Sequence, residues 1–334
     1  MADARPRILT GMRPTGNLHL GHYVGALENW LRLQDEYESF FLIADYQAMG
    51  DHIKDIQGIR EAVRAVTLDW LAVGLDPHRS SFVVQSFVPE HAELHMLLSM
   101  ITPLAMVERN PTLKAERKLL HDDLSLGFFN YPASQVADIL LPRAHLVPVG
   151  KDQAPHVELT REIARRFNSY YGPVFPVPDI LVGRVGRLVG MDGQAKMSKS
   201  LNNAIYLSDE DDLISRKVMS MYTDPGHVHV DDPGQVRGNA VFLYLDAFAP
   251  DKHEVEVAKR QYRKGGLGDV KLKRWLIEVL RTFIEPIRDR RRELEAHPER
   301  VDAALEEGTA RGQAIARETM LAVRQAMGIV YRFS

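Results

Sequence analysis

The chain has 334 residues, of which 45% are hydrophobic and 26% are charged, and its formal net charge is −3. This composition is typical of a soluble protein of about two domains, and its charge gives no general attraction to a polyanion, so any nucleic-acid contact must come from local basic patches. The chain contains no cysteine, which excludes disulfides and thiolate metal sites, and it shows neither a secretory signal nor an apolar stretch long enough for a membrane span. We therefore expect a cytoplasmic protein that does not contact membranes.

The first predicted strand leads into a turn that carries two histidines. The apolar run 8–12 predicts the strand, and the apolar spacing over 23–33 predicts a helix. His19 and His22 lie between them, where unpaired N–H groups and the helix dipole attract phosphate and glycines allow it to come close. The two histidines could instead share a metal, but no cysteine or acidic ligand pattern lies nearby, so we predict no protein-bound metal.

Predicted strands and helices then alternate along the first half of the chain. Further strands are predicted at 39–44, 81–85 and 146–150, further helices at 57–73, 90–101 and 158–167, and the segment 131–140 is predicted to be mostly helical after its proline. Strands separated by helices imply a parallel sheet, whose ligands gather at the carboxyl ends of the strands.

A lysine-serine loop at 196–200 is the second unusual segment. Lys196 and Lys199 supply two ammonium groups and the two serines supply hydroxyls, while Gly193 and the pair Asn202-Asn203 on either side are typical of a mobile loop. Such a loop can close on phosphates held at the histidine turn. Together, the two segments indicate ATP.

After Ser208 the pattern becomes helical. Helices are predicted at 209–221, with Ser208 as N-cap, and at 251–264, 269–292 and 299–327. Any single basic cluster on these helices is more simply explained as a solvent-exposed helix face. The presence of several clusters on one domain, however, indicates contact with RNA. They comprise Arg260, Arg263, Lys264, Lys271, Lys273, Arg274, Arg288, Arg290, Arg291 and Arg292. We predict two domains: one at 1–190 that holds the sheet and the histidine turn and binds ATP, and one at 191–334 that holds the lysine-serine loop and the helices.

The segments 19–22 and 196–200 resemble the HIGH and KMSKS motifs of class I aminoacyl-tRNA synthetases, and the second segment is identical to the family's motif. Within that class, the segments 10–16, 131–140, 147–153 and 156–161 are most similar to tryptophanyl-tRNA synthetases of the bacterial type. The resemblance implies an α/β fold in which a Rossmann-like parallel-sheet catalytic domain is followed by an all-helical domain. It also implies a homodimer that binds ATP with magnesium, L-tryptophan and tRNA(Trp), with the helical domain recognising the anticodon.

The resemblance assigns roles residue by residue. The catalytic residues are expected to be His19, His22, Lys196 and Lys199, which align the substrates and stabilise phosphate charge; an ionised carboxylate attacks, so no general base is needed. ATP contacts are expected from Thr10, Arg13, Gly21, His22, Lys114, Gly150, Asp152, Lys196, Met197, Ser198 and Lys199. Tryptophan contacts are expected from Leu9, Gln47, Tyr131, Gln135, Asp138, Val147, Val149 and Gln153.

Asp138 is the candidate for amino-acid specificity. It lies in an apolar stretch, where a carboxylate is expensive to bury without a partner, and by itself this would indicate a capped or salt-bridged residue. The family's equivalent aspartate accepts the indole N–H of tryptophan. His22, Arg13, Gln135 and Lys151 depart from the better-known bacterial form, and the amide of Gln135 could share the indole hydrogen bond or orient Asp138.

Other functions remain open on the sequence alone. Tyrosyl-tRNA synthetases share the fold and both motifs, although no tyrosine-hydroxyl site is evident here. A nucleotidyltransferase acting on a small molecule would keep the histidine motif without needing tRNA. A non-catalytic synthetase-like binding protein is a third possibility, against which the intact Lys196 and Lys199 argue.

Overall fold

The computed structural model describes residues 5–117, 125–150, 154–182, 188–193, 195, 197–199 and 201–331. Its strands are β1 (Arg7–Met12), β2 (Glu38–Ile43), β3 (Ser80–Val84), β4 (Leu146–Val149) and β5 (Asp179–Val182). They form one parallel sheet in the order β3-β2-β1-β4-β5. The chain winds outward in opposite directions from β1 and β4, which opens a crevice at their carboxyl ends. This sheet confirms the expected Rossmann-like α/β fold.

The helices cover both faces of the sheet. They are α1 (Leu20–His22), which continues as a π-helical turn (Tyr23–Leu27) into α2 (Glu28–Glu36), then α3 (Asp45–His52), α4 (Ile56–Val73), α5 (Glu90–Ile101), α6 (Leu104–Glu108), α7 (Pro111–Arg117), α8 (Leu126–Leu140), α9 (Ala154–Tyr171), α10 (Asp211–Met219), α11 (Ala240–Phe248), α12 (Lys252–Lys264), α13 (Asp269–Ala296) and α14 (Pro298–Ala326). Among the helices described, none has the length and apolar character to cross a bilayer.

The predicted strands are all present, and each predicted end differs from the observed one by at most one residue. The predicted helix 90–101 coincides with α5, and 57–73 differs from α4 by one residue. We did not predict β5, because its four residues follow a proline-rich stretch and show no alternation. Short elements such as α3 and α6 were also missed.

Some predicted helix starts are wrong: the start predicted at 158 lies inside α9, which begins at Ala154. Helix α8 begins at Leu126, before Pro132 rather than after it, because Ser125 caps it by accepting a hydrogen bond from the N–H of Phe128. Helix α10 is capped at Glu210 rather than Ser208. Asp209 turns inward instead, where its buried carboxylate accepts hydrogen bonds from the N–H of Tyr206 and from Lys217 Nζ.

The sheet separates two apolar cores. On one face Trp30, Phe41, Trp70 and Phe82 pack edge to face or stacked, with the rings of Trp30 and Phe41 4.9 Å apart, and α11 and α13 extend this core. The other face carries α5, α8 and α9. Side chains of adjacent strand residues alternate between the two faces, so each strand contributes to both cores.

The last helix returns to the first half of the chain and lies along the edge strand β3. A Cβ atom on Gly308 would come within 2.4 Å of the Phe82 backbone, so glycine allows this close approach. Thr309 Oγ1 accepts a hydrogen bond from the N–H of Val84, and Arg311 donates to the carbonyl of Ser80. These side chains occupy backbone groups that an edge strand would otherwise expose. The division at residues 190 and 191 stays a prediction.

Candidate active site

The structure brings the histidine turn and the lysine-serine loop together. The residues that directly follow the loop pair with the turn in antiparallel fashion: Leu207 N–H donates to the Leu18 carbonyl at 3.0 Å, and Leu20 N–H donates to the Ile205 carbonyl at 2.9 Å. His19 lies between these bonds, opposite Tyr206. The two motifs are 174 or more residues apart in the chain, and this short pairing joins them at the carboxyl end of β1.

Side chains of the loop contact the turn directly. Lys199 Nζ donates a hydrogen bond to the Thr15 carbonyl at 2.6 Å. Met197 is buried, and its sulfur lies 3.3 Å from the N–H of Gly21. A Cβ atom at Gly21 would lie 2.9 Å from His19 Nδ1 and 3.3 Å from Met197 Cβ, so only glycine fits between them. Three of the predicted ATP residues, Gly21, Met197 and Lys199, therefore share one site.

Asp192 and Asn203 hold the loop in shape. Asn203 is buried, accepts a hydrogen bond from Ser198 N–H at 2.8 Å, and donates to Asp192 Oδ2 at 2.9 Å. The other oxygen of Asp192 accepts from Ala195 N–H at 3.2 Å. Sequence reasoning treated Asn203 only as loop composition and did not single out Asp192, because an Asx side chain that bonds a backbone across five residues leaves no local pattern.

The two histidines act as a stacked pair. Their ring centroids are 3.7 Å apart with an interplanar angle of 28°, and His19 is buried. His22 Nδ1 accepts a hydrogen bond from the backbone N–H of His19 at 3.2 Å. A neutral His22 ring that accepts at Nδ1 carries its proton on Nε2, so the turn fixes which nitrogen can donate to a ligand.

Burial changes the pKa of Lys199, the lysine that contacts the histidine turn. It lowers the pKa of Lys199 to about 8, although the carboxylate of Asp69 acts in the opposite direction. A lysine with this pKa is mostly protonated at neutral pH, and a polyphosphate beside it would favour the charged form further.

A second polar cluster surrounds Asp138. The Asp138 side chain is 3% exposed, its Oδ2 accepts a hydrogen bond from Gln47 Nε2 at 2.7 Å, and its Oδ1 accepts from Gln85 Nε2 at 2.7 Å. His91 Nε2 lies 2.6 Å from Oδ1. These contacts confirm that the buried carboxylate has partners, and they come from α3, the end of β3 and α5.

The Asp138 carboxylate favours the charged form of the histidine in this cluster. Burial by itself would lower the pKa of His91, but the adjacent Asp138 carboxylate and the carbonyl of Ser134 outweigh it, so the pKa is raised. Gln85 and His91 were not predicted as site residues. The only signal in the sequence was their position, at the end of a predicted strand and at the start of the next helix, where parallel strands collect ligands.

Most of the other predicted tryptophan residues lie near this cluster. Leu9 and Val147 are buried on the adjacent strands β1 and β4, in the same core as α8. Gln135 and Tyr131 precede Asp138 by three and seven residues on α8, which places them on one face of the helix. Among the described side chains, the amides that bond Asp138 belong to Gln47 and Gln85 and not to Gln135.

The remaining predicted residues are less informative. Thr10 Oγ1 donates to the Pro148 carbonyl at 3.3 Å between β1 and β4, and Arg13 and Gly150 follow these strands directly. Val149 is half-buried at the end of β4, and Lys114 is exposed on α7. Lys196, Asp152 and Gln153 lie outside the described residues, as does Lys151.

A parallel sheet in this strand order, with a histidine turn and a lysine-serine loop meeting at its carboxyl edge, is the arrangement of class I aminoacyl-tRNA synthetases. Residues 1–285 match the model of the class I tRNA synthetases for tryptophan and tyrosine (W and Y), and the chain belongs to this family.

Individual relatives are similar over nearly the full length. The chain is 50% identical to the tryptophan–tRNA ligase of Clostridium longisporum over 98% of both chains. It is 49% identical to that of Streptococcus pyogenes serotype M3, covering 98% of this chain and 99% of the relative. The solved structure of tryptophanyl-tRNA synthetase from Campylobacter jejuni, complexed with ADP and tryptophan, superimposes with a TM-score of 0.86 at 33% identity, covering 96% of this chain and 99% of the other.

Proposed function

We propose that this chain is an enzyme that activates L-tryptophan with ATP and transfers it to the 3′ end of tRNA(Trp). The observation that carries the ATP-dependent step is the contact of Met197 and Lys199 with the histidine turn. The relatives that are 49% and 50% identical over almost the whole chain are tryptophan–tRNA ligases, and they supply the choice of amino acid.

In the first step, the carboxylate of tryptophan attacks the α-phosphate of ATP, the bond to the β-phosphate oxygen breaks, and pyrophosphate leaves. The carboxylate is already ionised, so the protein contributes alignment and charge stabilisation. ATP enters as its magnesium complex. His19, His22 and Gly21 would hold the nucleotide, while Lys199 and Lys196 would follow the charge onto pyrophosphate. In the second step, class I membership implies that the 2′-hydroxyl of the terminal adenosine attacks the carbonyl carbon of the adenylate, the bond from that carbon to the phosphate oxygen breaks, and AMP leaves.

Amino-acid specificity would come from Asp138. A carboxylate offers about four acceptor positions. In the described structure Gln47, Gln85 and His91 occupy three of those of Asp138, which leaves room for one further donor. The indole N–H of tryptophan would be that donor. A buried acceptor rejects phenylalanine, which has no such N–H, because the carboxylate would lose a hydrogen bond.

Pyrophosphate exchange into ATP, measured with each standard amino acid in turn, tests the function. Exchange that depends on tryptophan supports the proposal, and exchange that depends on tyrosine would support the tyrosyl enzyme instead. If none of the amino acids supports exchange, the result would favour a nucleotidyltransferase acting on another molecule or a non-catalytic binding protein. Because tRNA is charged where proteins are made, we also propose a cytoplasmic location.

We propose a homodimer, for which a stripe of exposed apolar side chains provides support. Met96 and Met100 on α5 are 60% and 70% exposed, Leu104 on α6 is 62% exposed, and Leu126 at the start of α8 is 80% exposed. These side chains lie on helices that contact one another, α5 and α6 each with α8, and exposed apolar side chains grouped in this way are typical of an interface.

Met100→Glu is expected to convert the dimer into a monomer, because the dimer interface would bury the new charge without a partner. Light scattering should then give a mass near 37.8 kDa for the variant and twice that for the wild type. Val257→Glu, which changes a single exposed apolar residue on α12, serves as the matched control and should leave the dimer intact. A wild-type chain with the mass of one copy would contradict the proposed dimer.

The basic clusters of the helical part separate into two groups. Arg288, Arg290 and Arg291 donate to the Asp209 carbonyl, the Ala72 carbonyl and the Asp69 carboxylate, and Lys273 is buried against two carbonyls. These side chains bind within the chain, as does Arg292, which pairs with Glu210, and we do not assign them to RNA. An exposed group remains where α12 ends and α13 begins: Arg260, Arg263, Lys264, Lys271 and Arg274. We propose that this group contacts the tRNA.

Replacing Arg263 and Lys264 together with glutamate is expected to raise the KM for tRNA about tenfold or more, because each phosphate contact adds an electrostatic contribution to binding. Tryptophan-dependent pyrophosphate exchange should not change, since it involves no tRNA. Arg32→Glu, on exposed α2, is the matched charge reversal. Equal KM values for tRNA in the double variant and the wild type would contradict the assignment.

A further inference from the structure

A buried ion pair between Asp69 and Arg291 contacts the histidine turn, and neither residue belongs to the two motifs. Asp69 on α4 has a fully buried side chain, and its Oδ2 accepts a hydrogen bond from the backbone N–H of Leu18 at 2.6 Å. Its Oδ1 accepts from Arg291 Nε on α13 at 2.9 Å. Arg291 also donates to Asn17 Oδ1 at 3.3 Å. Both members of the pair therefore contact the turn, and together they connect it to α4 and α13.

Fold stability does not explain why a charge is buried here. Asp69 lies between apolar residues of α4, with Val66 and Trp70 completely buried beside it. Burial raises the pKa of Asp69 to about 6, even though Arg291 and the Leu18 N–H favour the ionised form. The raised pKa means that ionisation at neutral pH costs folding free energy. Apolar residues of similar size often replace buried ion pairs without loss of stability.

The pair acts on the backbone directly before His19. The carbonyl of Leu18 accepts a hydrogen bond from Leu207, and its N–H is held by Asp69, so both polar groups of this residue are fixed. Lys199 closes the other end of the turn through the Thr15 carbonyl. The backbone between these contacts determines where His19 and Gly21 lie.

We infer that Asp69 and Arg291 are positioning residues for ATP, which fix the turn 15–20 in the form that receives the phosphates. This inference rests on the proposed role of the turn in ATP binding. Misplacement of catalytic groups by about 1 Å can reduce rates by about 100-fold, so a buried anchor of the backbone has a direct effect on the reaction.

Asp69→Asn tests this inference, because it keeps the size of the side chain and removes the charge. We expect the KM for ATP to rise about tenfold, because the variant loses one charged hydrogen bond that fixes the turn. The KM for tryptophan should stay unchanged. A purely structural role would lower the melting temperature and leave both KM values as they are. The double variant Asp69→Asn with Arg291→Gln, which restores a neutral hydrogen-bonded pair, should recover part of the ATP affinity.

The pH dependence gives a second readout. The charged groups that face Asp69 are Arg291 and Glu295 from α13 and Lys199 from the loop. As pH falls through about 6, Asp69 becomes protonated and its contact with Arg291 weakens, so the wild-type KM for ATP should rise. The asparagine variant should show no such rise, since it carries no titrating group at this position.

Asp302→Asn is the matched control, because it removes the exposed ion pair between Arg64 on α4 and Asp302 on α14 without touching the turn. Equilibrium binding of a non-hydrolysable ATP analogue measures the effect of Asp69 on nucleotide affinity even if no amino acid supports exchange. This measurement therefore distinguishes failure of the inference about Asp69 from failure of the proposed function. An unchanged ATP-analogue affinity in Asp69→Asn would overturn the inference. If that variant does not fold, the same measurement on Arg291→Lys decides, and unchanged affinity overturns the inference there too.

Discussion

Asp138→Ala is expected to lower kcat/KM for tryptophan in pyrophosphate exchange by about 100- to 1,000-fold. The substitution removes the proposed acceptor for the indole N–H. It also leaves Gln47, Gln85 and His91 without the carboxylate that accepts their hydrogen bonds, and each buried donor left unpaired carries its own cost. The KM for ATP should change much less, because the nucleotide contacts lie at the histidine turn.

The loss at Asp138 should depend on the carboxylate and not on general damage to the fold. His91→Gln keeps a donor beside Asp138 and should therefore reduce tryptophan activation less than Asp138→Ala does. Circular dichroism of both variants would show whether the helices are intact. Tryptophan activation kinetics in Asp138→Ala equal to those of the wild type would refute the assignment.

Lys199→Ala is expected to slow tryptophan-dependent exchange by about 100- to 1,000-fold at saturating substrates, the usual effect of removing one preorganised charge that stabilises a transition state. The ammonium group already lies at the turn, 2.6 Å from the Thr15 carbonyl, so it needs little movement to reach the phosphates. The loss should fall mainly on kcat, because charge moves onto pyrophosphate only as the bond breaks.

The pH profile gives this prediction a second measurement. Because the pKa of Lys199 is about 8 in the enzyme without ATP, its charged fraction decreases above that pH, and kcat/KM for ATP in exchange should decrease as pH rises through 8. Lys199→Arg stays charged over this range, so its decrease should move to higher pH. An exchange rate in Lys199→Ala equal to that of the wild type would show that the lysine has no part in the chemistry.

The sequence predicted the parts of the site whose signals are local. Strands appear as short apolar runs and the motifs as contiguous residues, so the sheet, the histidine turn and the lysine-serine loop could all be placed in advance. The contacts that support them could not. Asp69 meets Leu18 across 51 residues and Arg291 across 222, and such pairing follows from the packing of α4 and α13.

Charge patterns were the least reliable signal. The run of arginines at 288–292 resembles a basic surface in the sequence, yet Arg288 and Arg291 are buried and bind within the chain. A guanidinium group has five donors and a long apolar stem, which suits it to joining helix ends and carbonyls as well as to binding phosphate. Only burial and partners distinguish the two uses, and both depend on tertiary structure.

The position of α14 also bears on when the enzyme becomes competent during synthesis. This helix follows all the other described helices in the chain and so leaves the ribosome after them, yet it covers β3 and forms ion pairs from Arg317 and Arg324 to α5. Gln85 follows β3 and His91 belongs to α5, so the groups that hold Asp138 acquire this support only after α14 has been synthesised. A nascent chain that already contains every residue of the substrate site therefore still lacks the cover that fixes it.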